Sequence, residues 1–209
     1  MIKHIKHIFA EFEHGIDKWD EPRERLFEGN MVKGRPTRGF GDASFEYAGK
    51  LYEPEPWSHE IKLIKIAAEK IASKEFKRDI EFTFCLCGYY SDQGEGIPHH
   101  TDTVPKLKDV VFSVSFGAPR IFEWSTYEYI IKDHTNTSDT YLKNSPWKSY
   151  SNPPMGTSWY LLEHGDAIMF DGHSQMTSTH AIPELIGAGE RINLTFILVG
   201  PVPCSCSSC

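Results

Sequence analysis

Apolar residues near the start of the chain are spaced as in helices. Between residues 2 and 19 they recur every three or four positions, at Ile2, Ile5, Phe9, Phe12, Ile16 and Trp19. A second apolar stripe runs from Trp57 to Ile71 and has Lys and Glu on its opposite face. The pattern therefore predicts two N-terminal helices. The Gly-rich, basic stretch 30–50 between them predicts an ordered loop system.

From residue 81 the apolar period becomes that of strands. Short runs rich in aromatic and β-branched residues are bounded by Gly, Pro or Asp. They predict strands at 82–89, 110–116, 121–124, 158–162, 166–171 and 192–199. Short strands that follow helices favour a β-sandwich or jelly roll with helices packed on one face. The predicted fold class is α+β and mainly β.

The length of 209 residues, 40% of them hydrophobic, fits one domain over 1–200. The polar stretch 125–157 is long for a plain connection and is predicted to be a functional flap or a mobile insertion. Its aromatic and basic residues suit single-strand nucleic-acid binding or packing onto the barrel: Tyr141, Lys143, Trp147, Lys148 and Tyr150. The Cys/Ser-rich tail 201–209 is expected to be disordered rather than a soft-metal site.

Charge and cysteine content limit the partners and the compartment. A formal net charge of −7 excludes a basic field over the whole surface, although a local basic patch is compatible with it. There is no apolar run of the ~18 residues that cross a membrane, and no signal peptide is recognisable. Five Cys do not form a disulfide framework. We expect a soluble, intracellular monomer in the cytoplasm or nucleus, with no membrane partner.

The first chemical signal is the sequence His100-Thr-Asp102. Residues two apart on an extended segment point to the same side, so this imidazole and this carboxylate can share one metal ion. The pattern alone is weak because it is short. His99 is the competing ligand, but its spacing from Asp102 directs it to the opposite face.

The second signal is His180, followed eleven residues later by Arg191. Two His and one carboxylate can occupy one face of an octahedral Fe(II) and leave the other positions open. An Arg offers a bidentate fork to the far carboxylate of a 2-oxo acid. On the predicted last strand, Arg191, Asn193 and Thr195 share one face while the other face is apolar. This polar row predicts the lining of a pocket inside the barrel.

In their order, these motifs closely resemble the AlkB-like family of Fe(II)/2-oxoglutarate-dependent dioxygenases. HTD, a later His and RINLT are separated by SVSFGAPRIF and LLEHGD, and GRPTRGFGDASFEYAG, PEPW and FCLCGYY precede them. The similarity covers roughly residues 30–200, and the collinear set is more specific than any single motif. It implies a double-stranded β-helix (jelly roll) with N-terminal helices packed on one sheet.

The resemblance also implies roles for individual residues. By that likeness the iron ligands are His100, Asp102 and His180, and the cosubstrate residues are Tyr90, Arg191, Asn193 and Thr195. The cofactors implied are Fe(II), 2-oxoglutarate and O2. The activity implied is oxidative dealkylation of nucleic-acid bases: an N-alkyl group is hydroxylated and released as an aldehyde, with succinate and CO2 as coproducts.

A basic loop is the candidate contact with nucleic acid. Lys33, Arg35 and Arg38 could grip phosphates, and Phe40 could stack on a base. We expect Arg38 and Phe40 to bind substrate. The alternative is a surface loop with ordinary solubilising charges.

Three residues depart from the family pattern. Ile197 stands where many members have a second Arg, Val104 where base-repair members often have an acid, and Gly88 where an Asn is common. These changes leave the metal ligands and Arg191 intact but make base recognition less secure. Two other functions stay open: the same chemistry on a protein or small molecule, and a non-catalytic jelly-roll binding module.

Overall fold

The computed structural model describes residues 2–22, 24–27, 30–47, 50–92, 94–102, 108–127 and 154–199. Val104, the tail 201–209 and most of the predicted insertion lie outside the described residues, as does the Lys33 side chain. Within them the chain forms one α-helix, α1 (His59–Phe76). The strands are β1 (Ile2–Ile5), β2 (Glu24–Phe27), β3 (Asn30–Lys33), β4 (Thr37–Gly41), β5 (Phe45–Tyr47), β6 (Lys50–Tyr52), β7 (Phe84–Tyr90), β8 (Ile97–His100), β9 (Val110–Gly117), β10 (Arg120–Thr126), β11 (Gly156–Leu162), β12 (Ala167–Asp171), β13 (Ser178–Ile182) and β14 (Arg191–Ile197).

Two antiparallel sheets form the body of the fold. The major sheet has the strand order β1-β12-β9-β14-β7-β4, and the minor sheet has the order β11-β10-β13-β8. The hairpins β2–β3 and β5–β6 are two-stranded sheets of their own, and Phe45 of β5 packs into the inner core. All six strands predicted from the sequence are present, with ends shifted by a few residues. Two facing antiparallel sheets with these crossovers are a jelly roll, as predicted.

The major sheet is buried on both faces because its strands alternate between two cores. On β9, Phe112 and Val114 point toward α1, whereas Val111 points toward the minor sheet. On β14, Leu194 and Phe196 join the outer core beneath the helix. The inner faces of the same strands carry the polar residues of the cavity between the sheets. The outer core therefore fixes the strands, which leaves the inner face free for chemistry.

Helix α1 covers the outer face of the major sheet. Its buried positions are Ile61, Ile64, Ala68 and Ala72. The first three belong to the predicted stripe, whose ends Trp57 and Ile71 pack against the same core while partly exposed. Ser58 caps its start by accepting a hydrogen bond from the Ile61 N–H at 3.2 Å, a contact worth about 1 kcal/mol. Lys77 ends it in the left-handed conformation at φ 52°. In the described part of the chain, no helix is both long and apolar enough to cross a membrane.

The prediction of a helix over residues 2–19 is wrong. Residues 2–5 form β1, which pairs with β12, and the following residues make turns. Phe9 and Ile16 are buried in the outer core, so the spacing identified core residues but not their backbone conformation. Positive φ angles at His7 and Gly15 are incompatible with a continuous helix. The fold thus has one N-terminal helix packed on a sheet rather than two.

The prediction of a loop system over 30–50 is also wrong, because this stretch contains β3 to β5 and the start of β6. Two further strands, β8 and β13, were not predicted. Both are short, and β8 contains a Pro, which weakens a strand signal. These two strands carry the two candidate His ligands, His100 and His180.

Candidate metal and cosubstrate site

The three predicted metal ligands converge on the inner face of the minor sheet. His100 ends β8 and His180 lies directly opposite it on β13, while Asp102 follows two residues after β8. Their ligand atoms all lie within 4.8 Å of one another. The Nε2 atoms of His100 and His180 are 3.6 and 3.4 Å from the Asp102 carboxylate oxygens. Two imidazoles and a carboxylate on one side suit Fe(II), so the donor set fits the implied metal.

Neighbouring groups orient these ligands. The Nδ1 of His100 lies 2.9 Å from the carbonyl of Pro98; with that carbonyl as acceptor, Nδ1 carries the proton and Nε2 is the atom that would bind a metal. The Asp102 N–H donates to the Gln175 side chain at 2.6 Å. Burial alone would raise the pKa of Asp102, but the imidazoles of His180 and His100 outweigh it and hold the pKa well below its usual range. The carboxylate is therefore ionised, as a metal ligand must be.

Aromatic rings surround His180. Its ring stacks on Phe122 at 5.2 Å between centroids, nearly parallel to it, and Phe170 lies 5.0 Å away. Trp124 is the β10 residue paired with His180, and the centroids of the two rings are 6.0 Å apart. Burial, followed by repulsion from His100, lowers the pKa of His180 to about 4. The imidazole is thus neutral at pH 7 and fixed in orientation, the form that binds metal.

Arg191 is a buried cation that pairs with no carboxylate in the part of the chain that the structure describes. Its side chain is 1% exposed. Nη2 donates to Ser115 Oγ at 2.9 Å, while Nε and Nη1 have no hydrogen-bond partner among the described residues. Burial lowers its pKa, and Tyr90, whose ring centroid is 4.7 Å from the guanidinium carbon, partly offsets that effect. Such an arrangement is costly unless a ligand supplies the anion. A carboxylate of 2-oxoglutarate fits this site.

The polar row predicted on β14 exists. Asn193 donates to Ser113 Oγ at 2.5 Å and to the carbonyl of Val114 at 3.2 Å, and Thr195 Oγ1 donates to Asn193 Oδ1 at 3.0 Å. These contacts hold the row against β9. The serines were not predicted as site residues, although alternation of Ser with apolar residues in SVSFG is the signal of a strand with one polar face.

One cavity joins the metal triad to the Arg191 row. It lies between the sheets and has an empty volume of about 680 Å³ with its open mouth included. Its described wall contains all seven predicted metal and cosubstrate residues: Tyr90, His100, Asp102, His180, Arg191, Asn193 and Thr195. Ile197, which replaces a family Arg, also lines it. The geometry allows a small dicarboxylate to reach the triad and Arg191 together.

The structure does not bring Arg38 and Phe40 to this cavity. Both lie on the face of β4 that turns toward α1, in register with Cys87 and Cys85. Phe40 is only 5% exposed within the outer core, so it offers no free ring to a base. Arg38 makes two hydrogen bonds to Glu55, at 2.6 and 2.8 Å. The prediction that these two residues bind substrate has no support in their positions, because the pairing of β4 with β7 directs both side chains away from the cavity.

His99 points to the outer face of the minor sheet, as the spacing argument required. Its Nδ1 lies 3.0 Å from Thr179 Oγ1 and its Nε2 lies 3.2 Å from Glu123. It is therefore not part of the ligand cluster.

Comparison with known proteins identifies the class to which this site belongs. The family model of the 2OG-Fe(II) oxygenase superfamily matches residues 19–196, and the chain belongs to that superfamily. It is similar to mouse alpha-ketoglutarate-dependent dioxygenase alkB homolog 3, with 28% identity over 173 residues covering 81% of this chain and 53% of the mouse protein. The rat protein of the same name is 27% identical over 173 residues, covering 81% and 51%. The chain thus spans about half the length of these curated relatives.

A solved structure supports the fold alone. The structure of OsALKBH1 superimposes with a TM-score of 0.50 at 15% identity, covering 78% of each chain. The AlkB-like resemblance and the jelly roll are both confirmed. Members of the superfamily use Fe(II), 2-oxoglutarate and O2, which are the cofactors predicted here, and the His-Asp-His cluster fits them.

Proposed function

We propose that this protein is an Fe(II)/2-oxoglutarate-dependent dioxygenase that dealkylates nucleic-acid bases by oxidation. The observation that carries the proposal is the pairing, in one cavity, of a His-Asp-His cluster with a buried guanidinium that meets no carboxylate among the described residues. Similarity to alkB homolog 3 favours a base as substrate over other N-alkyl compounds.

Each predicted residue has a separate task in this proposal. His100, Asp102 and His180 hold Fe(II), which when bound supplies the redox chemistry that couples O2 to 2-oxoglutarate. Arg191 binds the far carboxylate of the cosubstrate, and the apolar and aromatic walls keep bulk water away. Tyr90 hydrogen-bonds the cosubstrate, and Asn193 and Thr195 hold the β14 side of its pocket.

The overall reaction accounts for every atom of 2-oxoglutarate, O2 and the alkyl group. 2-Oxoglutarate loses CO2 and becomes succinate by taking one oxygen atom of O2. The other oxygen atom enters a C–H bond of the N-alkyl group and gives a hemiaminal. The C–N bond of the hemiaminal then breaks, leaving N–H on the base and releasing the alkyl group as an aldehyde. We infer that the partner is DNA or RNA and that the enzyme acts as a soluble monomer in the cytoplasm or nucleus.

A second candidate is the same chemistry on a protein or small molecule. The net charge of −7 favours it, as does the outward orientation of Arg38 and Phe40. A non-catalytic binding module is disfavoured, because a scaffold without turnover has no need for an unpaired buried guanidinium beside the ligand cluster.

The test is anaerobic titration of Fe(II) and 2-oxoglutarate, followed by the visible metal-to-ligand charge-transfer band. O2 and oligonucleotides with one alkylated base are then added, and succinate and formaldehyde are measured. Formaldehyde in proportion to one methylated strand, with none from the unmodified strand, supports base dealkylation. Succinate without formaldehyde contradicts the nucleic-acid substrate but keeps the dioxygenase. Absence of the band contradicts both.

A further inference from the structure

Asp102 is held in place differently from the two histidine ligands. His100 and His180 are paired with each other across β8 and β13, so the strand ladder fixes both imidazoles. Asp102 lies two residues beyond the end of β8 and takes part in no strand pairing among the described residues. Strand pairing therefore does not account for the position of the carboxylate, and another contact has to fix it.

The side chain of Gln175 supplies this contact. Its Oε1 accepts a hydrogen bond from the Asp102 N–H at 2.6 Å. Gln175 is fully buried, at 0% exposed, yet it does not belong to the described wall of the cavity. It therefore contacts the backbone of the ligand from behind rather than from the cavity. A buried amide is costly unless it is hydrogen-bonded, so the same contact also holds Gln175 in one orientation.

The turn that carries Gln175 is itself braced. Gln175 lies in the 3-10 helix Ser174–Met176 between β12 and β13. Asp171, the last residue of β12, accepts hydrogen bonds at Oδ1 from the N–H and the hydroxyl of Ser174, at 3.0 and 2.6 Å. The Gln175 N–H donates to the carbonyl of Gly172 at 3.1 Å. Because this turn leads from the major sheet into the minor sheet, it fixes Gln175 relative to both.

We propose that Gln175 is a positioning residue of the metal site: it holds the backbone of Asp102 so that the carboxylate joins the two imidazoles, and it thereby sets the affinity of the cluster for a divalent metal ion. This inference rests on the metal site of the proposed function. Gln175 acts through Asp102, because its hydrogen bond ends on the backbone of the ligand and not on a ligand atom. Groups that orient metal ligands commonly contribute a factor of about 10 to 100 in metal affinity.

The test measures metal binding rather than turnover. Co(II) is titrated into the metal-free protein, and its visible d–d absorption reports both the Kd and the coordination of the ion. Co(II) follows Fe(II) in the order of affinity for such sites, so that weakened sites stay measurable. Gln175→Met is similar in length but has no acceptor oxygen. It should raise the Kd for Co(II) about 10- to 100-fold and change the d–d spectrum.

Thr83→Val is the matched control. Thr83 Oγ1 also accepts a hydrogen bond from a backbone N–H, that of Val199 at 2.8 Å, and Thr83 lies outside the described wall of the cavity. Both variants remove an acceptor from a backbone N–H, so both should lower the midpoint of urea unfolding of the metal-free protein. Only Gln175→Met should change the Kd for Co(II).

A double-mutant cycle separates positioning from a general loosening of the site. Asp102→Ala keeps the backbone N–H that Gln175 binds, removes the carboxylate and leaves two imidazoles for Co(II). If Gln175 acts through that carboxylate, adding Gln175→Met to Asp102→Ala should change the Kd by no more than about 2-fold. An equal loss of affinity in both backgrounds overturns the proposal, and so does a wild-type Kd in Gln175→Met alone.

Gln175→Asn covers the case in which Gln175→Met does not fold. It keeps the buried amide but withdraws the acceptor oxygen by one carbon–carbon bond, so the Kd should rise here too, and a wild-type Kd overturns the proposal. If wild type gives no d–d absorption with Co(II), the metal site fails and this inference fails with it. If wild type binds Co(II) but forms no formaldehyde with Fe(II), the nucleic-acid substrate fails, while the Co(II) constants still decide the role of Gln175.

Discussion

Arg191 should matter greatly for ligand binding and very little for the stability of the ligand-free protein. Removing one partner of a buried ion pair costs about 3–5 kcal/mol, because the other charge is left alone. Arg191 has no anionic partner among the described residues, so its replacement strands no charge. Arg191→Met, which is similar in length and apolar, is the appropriate perturbation.

The stabilising and destabilising contributions of Arg191 are of similar size. Replacement loses the hydrogen bond to Ser115 and the contact with the Tyr90 ring, together about 2–4 kcal/mol. It also removes two buried N–H donors without acceptors, which cost about 1–3 kcal/mol each. We therefore expect the free energy of unfolding to change by less than about 1 kcal/mol, and Tm by less than about 4 °C.

Ligand binding should respond very differently. A charge-assisted pair with a carboxylate is worth about 3 kcal/mol, so the Kd for 2-oxoglutarate should rise about 100-fold or more. The assay is anaerobic 2-oxoglutarate titration of the Fe(II)-loaded protein by the charge-transfer band, together with calorimetric melting with and without ligand. Wild type should gain about 2.7 kcal/mol at a ligand concentration of 100 Kd, and the variant should gain almost nothing at that concentration.

Arg120 offers a matched control because it is equally buried, at 1% exposed, but both of its terminal nitrogens are bonded and only Nε has no partner among the described residues. Its guanidinium donates to the carbonyls of Pro119, Ser91, Ala188 and Gly189. Arg120→Met should lose about 3 kcal/mol of stability and keep the wild-type Kd for 2-oxoglutarate while folded. If Arg191→Met loses as much stability as Arg120→Met, or keeps the wild-type Kd, the reasoning is refuted.

Three further changes test the metal cluster and the N-terminal attachment. Asp102→Ala should abolish Fe(II)-dependent succinate formation and leave the circular dichroism spectrum unchanged. Asp166→Asn should lower the free energy of unfolding by about 2 kcal/mol at pH 7, measured in urea. Burial alone would raise the pKa of Asp166, but hydrogen bonds from Glu163, His7 and His4 hold the pKa below its ordinary value. Its stabilisation is therefore present above the unfolded pKa of about 3.9 and lost as the pH falls through the folded pKa, so the two proteins should converge in acid. Gly165→Ala should cost about 3 kcal/mol in the same urea assay, because φ is 78° and the new Cβ would lie 2.3 Å from the Ala10 backbone nitrogen.

For each of these predictions, one outcome would contradict the reasoning. Succinate formation at the wild-type rate in Asp102→Ala would remove Asp102 from the metal site. A stability gap that stays constant from pH 7 to pH 3 in Asp166→Asn would assign the loss to packing instead of charge. Wild-type stability in Gly165→Ala would mean that the contact with the N-terminal segment relaxes freely.

The predicted strands of the major sheet were recognisable because both faces of this sheet are buried, which gives short, nearly continuous apolar runs such as β9. The polar row from Arg191 to Thr195 was predictable because polar residues on a strand whose other face is fully apolar have few purely structural uses. The N-terminal segment was not, because turns also carry residues such as Phe9 into a core at irregular spacing. A periodic pattern records which residues are buried and leaves the backbone conformation undetermined.

The substrate side of the site was predictable only in part. Composition identified a basic loop, but the register of β4 against β7 decided which arginine faces the cavity. That register turns Arg38 outward, while Gly88 admits Arg35. Both facts depend on pairing between segments about fifty residues apart, which sequence motifs do not encode.

The position of β14 affects how the protein can be synthesised. This strand lies between β9 and β7 in the middle of the major sheet, yet it is the last described strand to leave the ribosome. At 5–20 residues per second, β9 waits roughly 4–15 s for the strand that joins it to β7. During this interval both strands lack the partner that lies between them in the finished sheet, and Arg191, the proposed cosubstrate arginine, is not yet in place. If the proposal for Arg191 is right, cosubstrate can stabilise the nascent chain only after β14 has been added.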